Sequence, residues 1–460
     1  MREKFYPVAG KNYVVLGLGR TGQAAVNWLL EQGAAAIGWD DNANLCNGLA
    51  SKGFQIVNPL GCDWSEVSAL VQSPGITLSH AVTREAIAAG VPIITDLELL
   101  QAYAPDAMYI GITGTNGKST TVSLLQHTLS AGGRSVISGG NIGKAALTLP
   151  KLKQDGIYVL ELSSYQLELS KTLNMDIAVW LNIAADHLEW HGDIENYVKS
   201  KERIFKTSQQ LAVIGIDDEY SMMECNARQG QQNVVPISAQ GRPAGGVFVA
   251  GGFLYDHRKS QGAPIFDMRN IQALAGPHNQ QNAAAVYVVA THLGMAPEDV
   301  LATFHTFHGL PHRQELVCEL GNVAFINDSK GTNPAATAKA LQSYKNIYWI
   351  AGGQPKDSNW EALESGLPNV KQAFLIGQSM GQMAAFLQGR IPYATSESLD
   401  VAVKQAFKQV QIDDCESAVV LLSPACASFD QYKDFEERGD VFRGVVQQLK
   451  NTKEQVAHVG

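Results

Sequence analysis

Residues 108–130 read MYIGITGTNGKSTTVSLLQHTLS: an apolar run, a glycine-rich turn closed by Lys118 and Ser119, then an amphipathic stretch. This order constrains the fold more than any other feature. A turn that cradles phosphate on its backbone N–H groups needs a strand feeding it and a helix leaving it. The common form of such a loop, G-x-x-x-x-G-K-[ST], would put glycine at position 112, where this chain has isoleucine. The loop is therefore a variant: Gly114, Thr115, Asn116, Gly117, Lys118, Ser119 and Thr120. Lys118 is placed to reach outer phosphates and Ser119 to offer a hydroxyl to Mg²⁺, which reads as an ATP site. A glycine turn with an incidental lysine is the alternative, and the strand-loop-helix context disfavours it.

The same grammar of short apolar strand, glycine or polar turn and amphipathic helix recurs along the chain. It predicts an α/β protein with mostly parallel sheets and helices on their faces. At 460 residues the chain is too long for one core, and its 43 glycines suit many strand-to-helix turns. NYVVLGLG, TGQAAVNWLLEQG and AAAIGWD make a first βαβ unit, which the chain leaves through a helix and Pro105 before a new sheet starts at Met108. GLPHRQE, residues 309–315, interrupts a helix-rich region. Beyond it lie four further apolar runs, VAFINDS, IYWIAGG, QAFLIGQ and SAVVLLSP. Three domains are expected: 1–97, Rossmann-like; 98–309, a central P-loop-type ATPase domain; and 310–460, again Rossmann-like.

Gly17-Leu18-Gly19-Arg20-Thr21-Gly22 is a complete G-x-G-x-x-G, with Asp40 and Asp41 closing the next strand. That arrangement suits a nucleotide whose phosphates meet a helix N-terminus and whose ribose meets an acid. A turn that only packs helix on strand remains open, as does the choice between NAD and another nucleotide. Glu161 ends the apolar run GIYVLE, as a metal-binding acid does in ATPases. Asp186, His187, Glu189 and His191 cluster in ADHLEWHG, where histidine is either a ligand or a polar loop residue. Lys201 shares a helical face with Tyr197, Ile204 and Phe205 in ENYVKSKERIFK. A lysine held on that apolar face loses proton affinity and gains a reactive free amine.

Taken together, GTNGKST, NIGKA, ELSSYQLE, NIAADHLEWHG, YVKSKERIF, GPHNQQNAAA, GLPHRQE, FINDSKGTNP and LSPACASFDQYKDFEERGDVF resemble the Mur ligases of bacterial cell-wall synthesis, from residue 17 to about 443. LSPACASFDQY and the first glycine loop resemble the branch that adds D-glutamate. The resemblance implies that ATP phosphorylates the carboxylate of UDP-N-acetylmuramoyl-L-alanine and that the D-glutamate amine attacks the acyl phosphate. It also implies that the first loop and Asp40 hold a UDP-sugar rather than NAD, with Gly17, Leu18, Gly19, Arg20, Thr21, Asp40, Ser73 and Gly75 as its contacts, and that Asn141 and Ser163 meet the UDP-sugar or the water shell of the metal. Besides the second loop, ATP would meet Asn279, Asn282, Arg313 and Asp328. Mg²⁺ would be held by Ser119, Glu161, His187 and a carbamate on Lys201. D-Glutamate would meet His187, Thr332, Lys356, Ser428, Phe429 and Phe435, and Lys330 would stabilise the acyl-phosphate charge. The catalytic set is thus Lys118, Glu161, His187, Lys201 and Lys330.

Other classes fit less well. A formal net charge of -9 argues against nucleic acid as a partner. No run of roughly 18 apolar residues predicts a membrane span. Six cysteines without a C-x-x-C pair, and a start lacking an apolar signal core, point to the cytoplasm. A monomer is expected. An NAD-dependent oxidoreductase would explain only the first loop, and a nucleotide-gated binding protein would close on ATP without making a bond. Other members of the family add other amino acids.

Overall fold

The computed structural model describes residues 7–141, 143–205, 210–230, 233–258, 262–355 and 359–459. The chain divides into two compact units, Met1–Phe307 and His308–Gly460. The first unit holds two of the three sheets found among the described residues. Its smaller sheet is parallel, in the order Ala35–Trp39, Asn12–Leu16, Val67–Gln72, Ile93–Ile94. Alternation along Asn12–Leu16 sends Tyr13 and Val15 into the core beneath helix Arg20–Glu31, while Val14 and Leu16 meet Val82 and Ala86 on the other face.

Helix Asp96–Tyr103 leads from this sheet to the next. Thr95 and Glu98 form a capping box at its start, and the outer Glu98 oxygen accepts from the Thr172 N–H at 2.7 Å. Trp28 meets Tyr103 edge to face at 5.2 Å, so the first helix and the connecting helix share one core.

The large sheet has nine strands, in the order Phe266–Asp267, Phe253–Asp256, Val247–Ala250, Val234–Ser238, Leu211–Gly215, Ile177–Trp180, Met108–Thr113, Gly156–Glu161, Ser135–Gly140. All its pairings are parallel except the two among the three strands named first. Met108–Thr113 lies in its interior, and Ile112 is a fully buried strand residue, which is why no glycine stands there. Helix Lys118–Ala131 packs on the sheet beside helix Pro277–His292, whose run Ala283–Ala290 is wholly buried. Pairing of Ile112 with Glu161, and of Glu161 with Gly140, brings three strand ends to one edge. Ligands of open parallel sheets bind at such carboxyl ends.

The second unit carries six strands, in the order Glu315–Leu320, Val323–Asn327, Ala418–Leu422, Ile347–Gly352, Val370–Ile376, Tyr393–Thr395; only the first pair is antiparallel. The four predicted apolar runs are its four inner strands. The two edges add strands that the sequence reading did not separate. The helix predicted over ENYVKSKERIFK ends at Glu202 and continues as a 3₁₀ turn, Arg203–Phe205. Among the described residues no helix is long and apolar enough to cross a membrane.

Candidate active site

The second glycine loop is held by its neighbours before any ligand is considered. Asn182 clamps Asn116, accepting its N–H at 2.8 Å and donating to its carbonyl at 3.1 Å, and the Asn182 carbonyl accepts from Thr115 N–H. Gly117 sits at φ 85°, and a Cβ there would lie 2.4 Å from Asn282 Oδ1. Asn282 is 1% exposed and that oxygen is a buried acceptor with no hydrogen-bond partner. The Lys118 amine folds back onto the Gly114 and Thr115 carbonyls at 2.8 and 2.9 Å. Ser119 donates to Glu161 Oε2 at 2.8 Å, and Asn141 donates to Oε1 at 3.0 Å. Sequence reasoning named Lys118, Ser119, Glu161 and Asn141 separately, and the fold brings them together. Asn279 adjoins them through Asn282, which donates to its Oδ1 at 3.3 Å.

Lys201 is 1% exposed and lies across the same loop. Its amine donates to Gly114 O at 3.0 Å and to Thr113 Oγ1 at 3.3 Å, and sits 4.8 Å from the centre of the Tyr197 ring. Burial holds its pKa well below the usual lysine range; Lys118 repulsion adds to this, while Asp186 and Glu161 pull the other way. Tyr197, Ile204 and Phe205 are buried with it, as the spacing predicted.

His187 adopts φ 54°, with Nε2 3.4 Å from Asp186 and Nδ1 3.7 Å from Glu189; its ring packs 5.0 Å from Tyr165. Among the described residues there is no group of three or more His, Cys, Asp or Glu arranged to hold a metal ion by themselves. His191 differs from its neighbour: it is buried, 3.0 Å from Ser164 Oγ and stacked on Tyr165. Burial lowers its pKa. Ser163 caps the short helix Ser164–Leu169 through a capping box with Gln166.

In the first glycine loop, Asp40 accepts the Leu18 N–H at 2.7 Å and the Asn42 N–H at 2.9 Å. Asp40, expected to meet a ribose, thus also fastens the loop itself. Ser73 donates to Gly17 O at 2.8 Å. The Leu18 side chain is buried, while Gly19, Arg20 and Gly75 are exposed, and Thr21 lies in the first turn of helix Arg20–Glu31.

In the second unit, Asp328 accepts from Ser423 Oγ at 2.6 Å and from the Gln314 N–H at 3.2 Å, and burial pushes its carboxyl up to about 6. The Lys330 amine lies 4.0 Å from the Phe435 ring centre. The Thr332 N–H donates to the Lys330 carbonyl at 2.7 Å. Ser428 is buried and its carbonyl accepts from Tyr432; Phe429 is 63% exposed, and Arg313 is exposed too. Lys356 lies outside the described residues.

Family models match in three consecutive stretches: a MurD-like N-terminal domain over residues 11–95, a Mur ligase middle domain over 112–290 and a Mur ligase glutamate ligase domain over 312–426. A UDP-N-acetylmuramoylalanine–D-glutamate ligase of Phenylobacterium zucineum is 41% identical over 454 residues, covering 96% of this chain and 97% of that protein. The chain belongs to the Mur ligase family. The ligase of the same name from Paramagnetospirillum magneticum is 43% identical, covering 95% and 96%. The fold, an α/β Mur ligase fold of three domains, is shared with the UDP-N-acetylmuramate–alanine ligase of Thermotoga maritima (TM-score 0.57, 17% identity, 96% and 99% covered). It is shared as well with MurF of Acinetobacter baumannii (TM-score 0.57, 18% identity, 92% and 89% covered).

Within this Mur ligase site, residue-by-residue reading missed Asn182, whose clamp on Asn116 spans the loop, and named His191 in its cluster without the buried place it takes against Ser164 and Tyr165. No local pattern in the sequence marks Asn182; the pairing of Thr113 with Trp180 in the folded sheet puts the residues after both strands side by side.

Proposed function

We propose that this Mur ligase joins D-glutamate to UDP-N-acetylmuramoyl-L-alanine at the expense of ATP, in the making of peptidoglycan precursors. The observation that carries this is identity of about two residues in five, over nearly the whole chain, with relatives bearing that activity in their names. The chemistry follows from the substrates. A carboxylate resists an amine until one oxygen becomes a leaving group, so its oxygen first takes the γ-phosphoryl group of ATP, releasing ADP. The D-glutamate amine then adds to the acyl carbon, loses a proton, and phosphate departs from the tetrahedral adduct.

In this reading the chain contributes positioning and charge. Lys118 exchanges its two carbonyl acceptors for the β and γ phosphates, and Thr115, Asn116, Gly117 and Thr120 line the same turn. The unpartnered Asn282 oxygen and the close-fitted Gly117 beside it suit a ligand against the loop. Ser119 and Glu161 would hold one Mg²⁺, and His187 with a carbamate on Lys201 a second, supplying charge neutralisation at the transferring phosphoryl group. The buried Lys201 amine fits this role because its neutral form adds CO₂ and releases a proton, turning a cation into an oxygen donor. Asn279, Asn282, Arg313 and Asp328 hold the remainder of ATP. Gly17 to Thr21, Asp40, Ser73, Gly75, Asn141 and Ser163 hold the UDP-sugar. Thr332, Lys356, Ser428, Phe429 and Phe435, with His187, take D-glutamate, and Lys330 steadies the acyl phosphate.

Domains of 1–97, 98–309 and 310–460, each with one of these tasks, and a cytoplasmic monomer complete the proposal. Phosphate release with ATP, Mg²⁺ and UDP-N-acetylmuramoyl-L-alanine tests it, with D-glutamate compared against L-glutamate, L-alanine and meso-diaminopimelate. Turnover confined to D-glutamate is expected. Equal turnover with L-glutamate, or preference for another amino acid, overturns the assignment.

A further inference from the structure

Arg438 lies in the C-terminal helix Phe435–Val459 and is 1% exposed. Its Nε donates to Ser329 Oγ at 3.0 Å, its Nη2 to Ser329 O at 2.8 Å and to Cys426 O at 3.2 Å, and its Nη1 to Cys426 O at 3.2 Å. All these acceptors are neutral oxygens. Asp430 and Asp328 are the acids whose charge reaches it, and neither offsets its burial, which brings the guanidinium down to about 10. A buried cation satisfied only by neutral oxygens costs desolvation that an apolar side chain of similar volume would not. What the guanidinium provides instead is a planar fork with fixed donor directions.

The fork grips two loops that are far apart in sequence. Ser329 stands between Asp328 and Lys330, and Cys426 precedes Ser428 and Phe429. A third segment is tied in, because Ala427 and Gln354 exchange two backbone hydrogen bonds of 2.9 Å each. A Cβ on the adjacent Gly353 would lie 2.2 Å from Ala427 O and 3.1 Å from Arg438 Nη1, so the segment approaches as closely as glycine permits. Ser329 Oγ completes the knot by donating to Phe435 O at 2.8 Å. Each loop carries residues that the proposed function gives to the amino acid or the acyl phosphate.

We propose that Arg438 is a positioning residue for amino-acid binding, its fork holding the Ser329 and Cys426 loops at the separation that D-glutamate requires. This rests on the proposed function, and the test separates the two. The test measures kcat, the KM for each of the three substrates and the melting temperature for wild type, Arg438→Lys and Ser329→Ala. Lysine keeps the charge and loses the fork; Ser329→Ala removes only the acceptor of Nε.

In Arg438→Lys the KM for D-glutamate should rise about tenfold or more, the scale of a lost charge-assisted hydrogen bond, while the KM values for ATP and the UDP-sugar stay within about twofold. Ser329→Ala should show a smaller rise in the same KM, and it decides the matter if the lysine variant does not fold. A D-glutamate KM unchanged in a folded variant overturns the proposal, as does a parallel loss in every kinetic constant that tracks the melting temperature. Wild type that does not use D-glutamate at all overturns the functional reading instead, and the positioning role with it.

Discussion

The two glycine loops of the first unit have the same outline, strand into turn into helix, and opposite electrostatics. At the first, a carboxylate of the chain itself fills the turn: Asp40 takes the Leu18 N–H, the kind of donor that binds phosphate at such turns. At the second, two amines converge on one carbonyl, with Lys118 at 2.8 Å and Lys201 at 3.0 Å from Gly114 O. A shared motif therefore does not mean a shared task. The second loop sets the Lys118 amine where phosphoryl oxygens would come, with the Lys201 amine, its proton affinity lowered by burial, on the same carbonyl. The first has spent one donor on its own acid, and offers a ligand the exposed backbone at Gly19.

The largest consequence concerns Lys118. Lys118→Met should lower kcat by about 10³-fold in a phosphate-release assay, as removal of a charge aimed at a transferring phosphoryl group does, and leave the melting temperature unchanged. Arg20→Met, in the first loop, removes an exposed cation and should cost less than about tenfold. Comparable losses from both would erase the contrast between the loops.

Lys201 gives the next effect, and it depends on pH. Its folded pKa lies below the ordinary 10.5, so between the two values the unfolded chain binds the extra proton, and stability rises with pH through that window. Carbamate formation needs the same neutral amine. Ligation should therefore quicken as pH rises through the lowered pKa, and added bicarbonate should raise the wild-type rate at fixed pH. Lys201→Met should cost about 10²-fold in rate, abolish both responses and leave stability no lower, since the buried amine no longer has to be desolvated. A methionine variant that ligates at the wild-type rate would sink the carbamate.

Much of this was legible in the sequence, for definite reasons. Interior parallel strands are continuous apolar runs, so Met108–Thr113, Gly156–Glu161 and the four inner strands of the second unit stood out. The face of Lys201 was legible from Tyr197, Ile204 and Phe205. The edges were not: Glu315–Leu320 carries glutamates at Glu315 and Glu319, and Tyr393–Thr395 has only 3 residues. Neither were Asn182 and Arg438, because each acts on backbone brought near by tertiary packing, and no local pattern marks such a partner. Asp40 was named as an acid placed for a ribose, and its bond to the Leu18 N–H is a fact of geometry that no sequence pattern marks.

A smaller effect than that at Lys201 is the most discriminating for the first loop, and it separates two of its glycines. A Cβ on Gly22 would lie 1.8 Å from the Gly17 carbonyl oxygen, so Gly22 is required by packing. Gly22→Ala should cost about 1–3 kcal/mol of stability through forced backbone movement, read as a lower melting temperature. Gly19 has an ordinary φ of -62°, and a Cβ there would meet nothing within 4 Å, so the fold has no need of glycine at this position. If phosphates of the UDP-sugar approach the backbone at this point, Gly19→Ala should leave the melting temperature alone and raise the KM for UDP-N-acetylmuramoyl-L-alanine by about tenfold. An unchanged KM would make the first loop a packing turn, and the contrast between the loops would become one between a scaffold and a site.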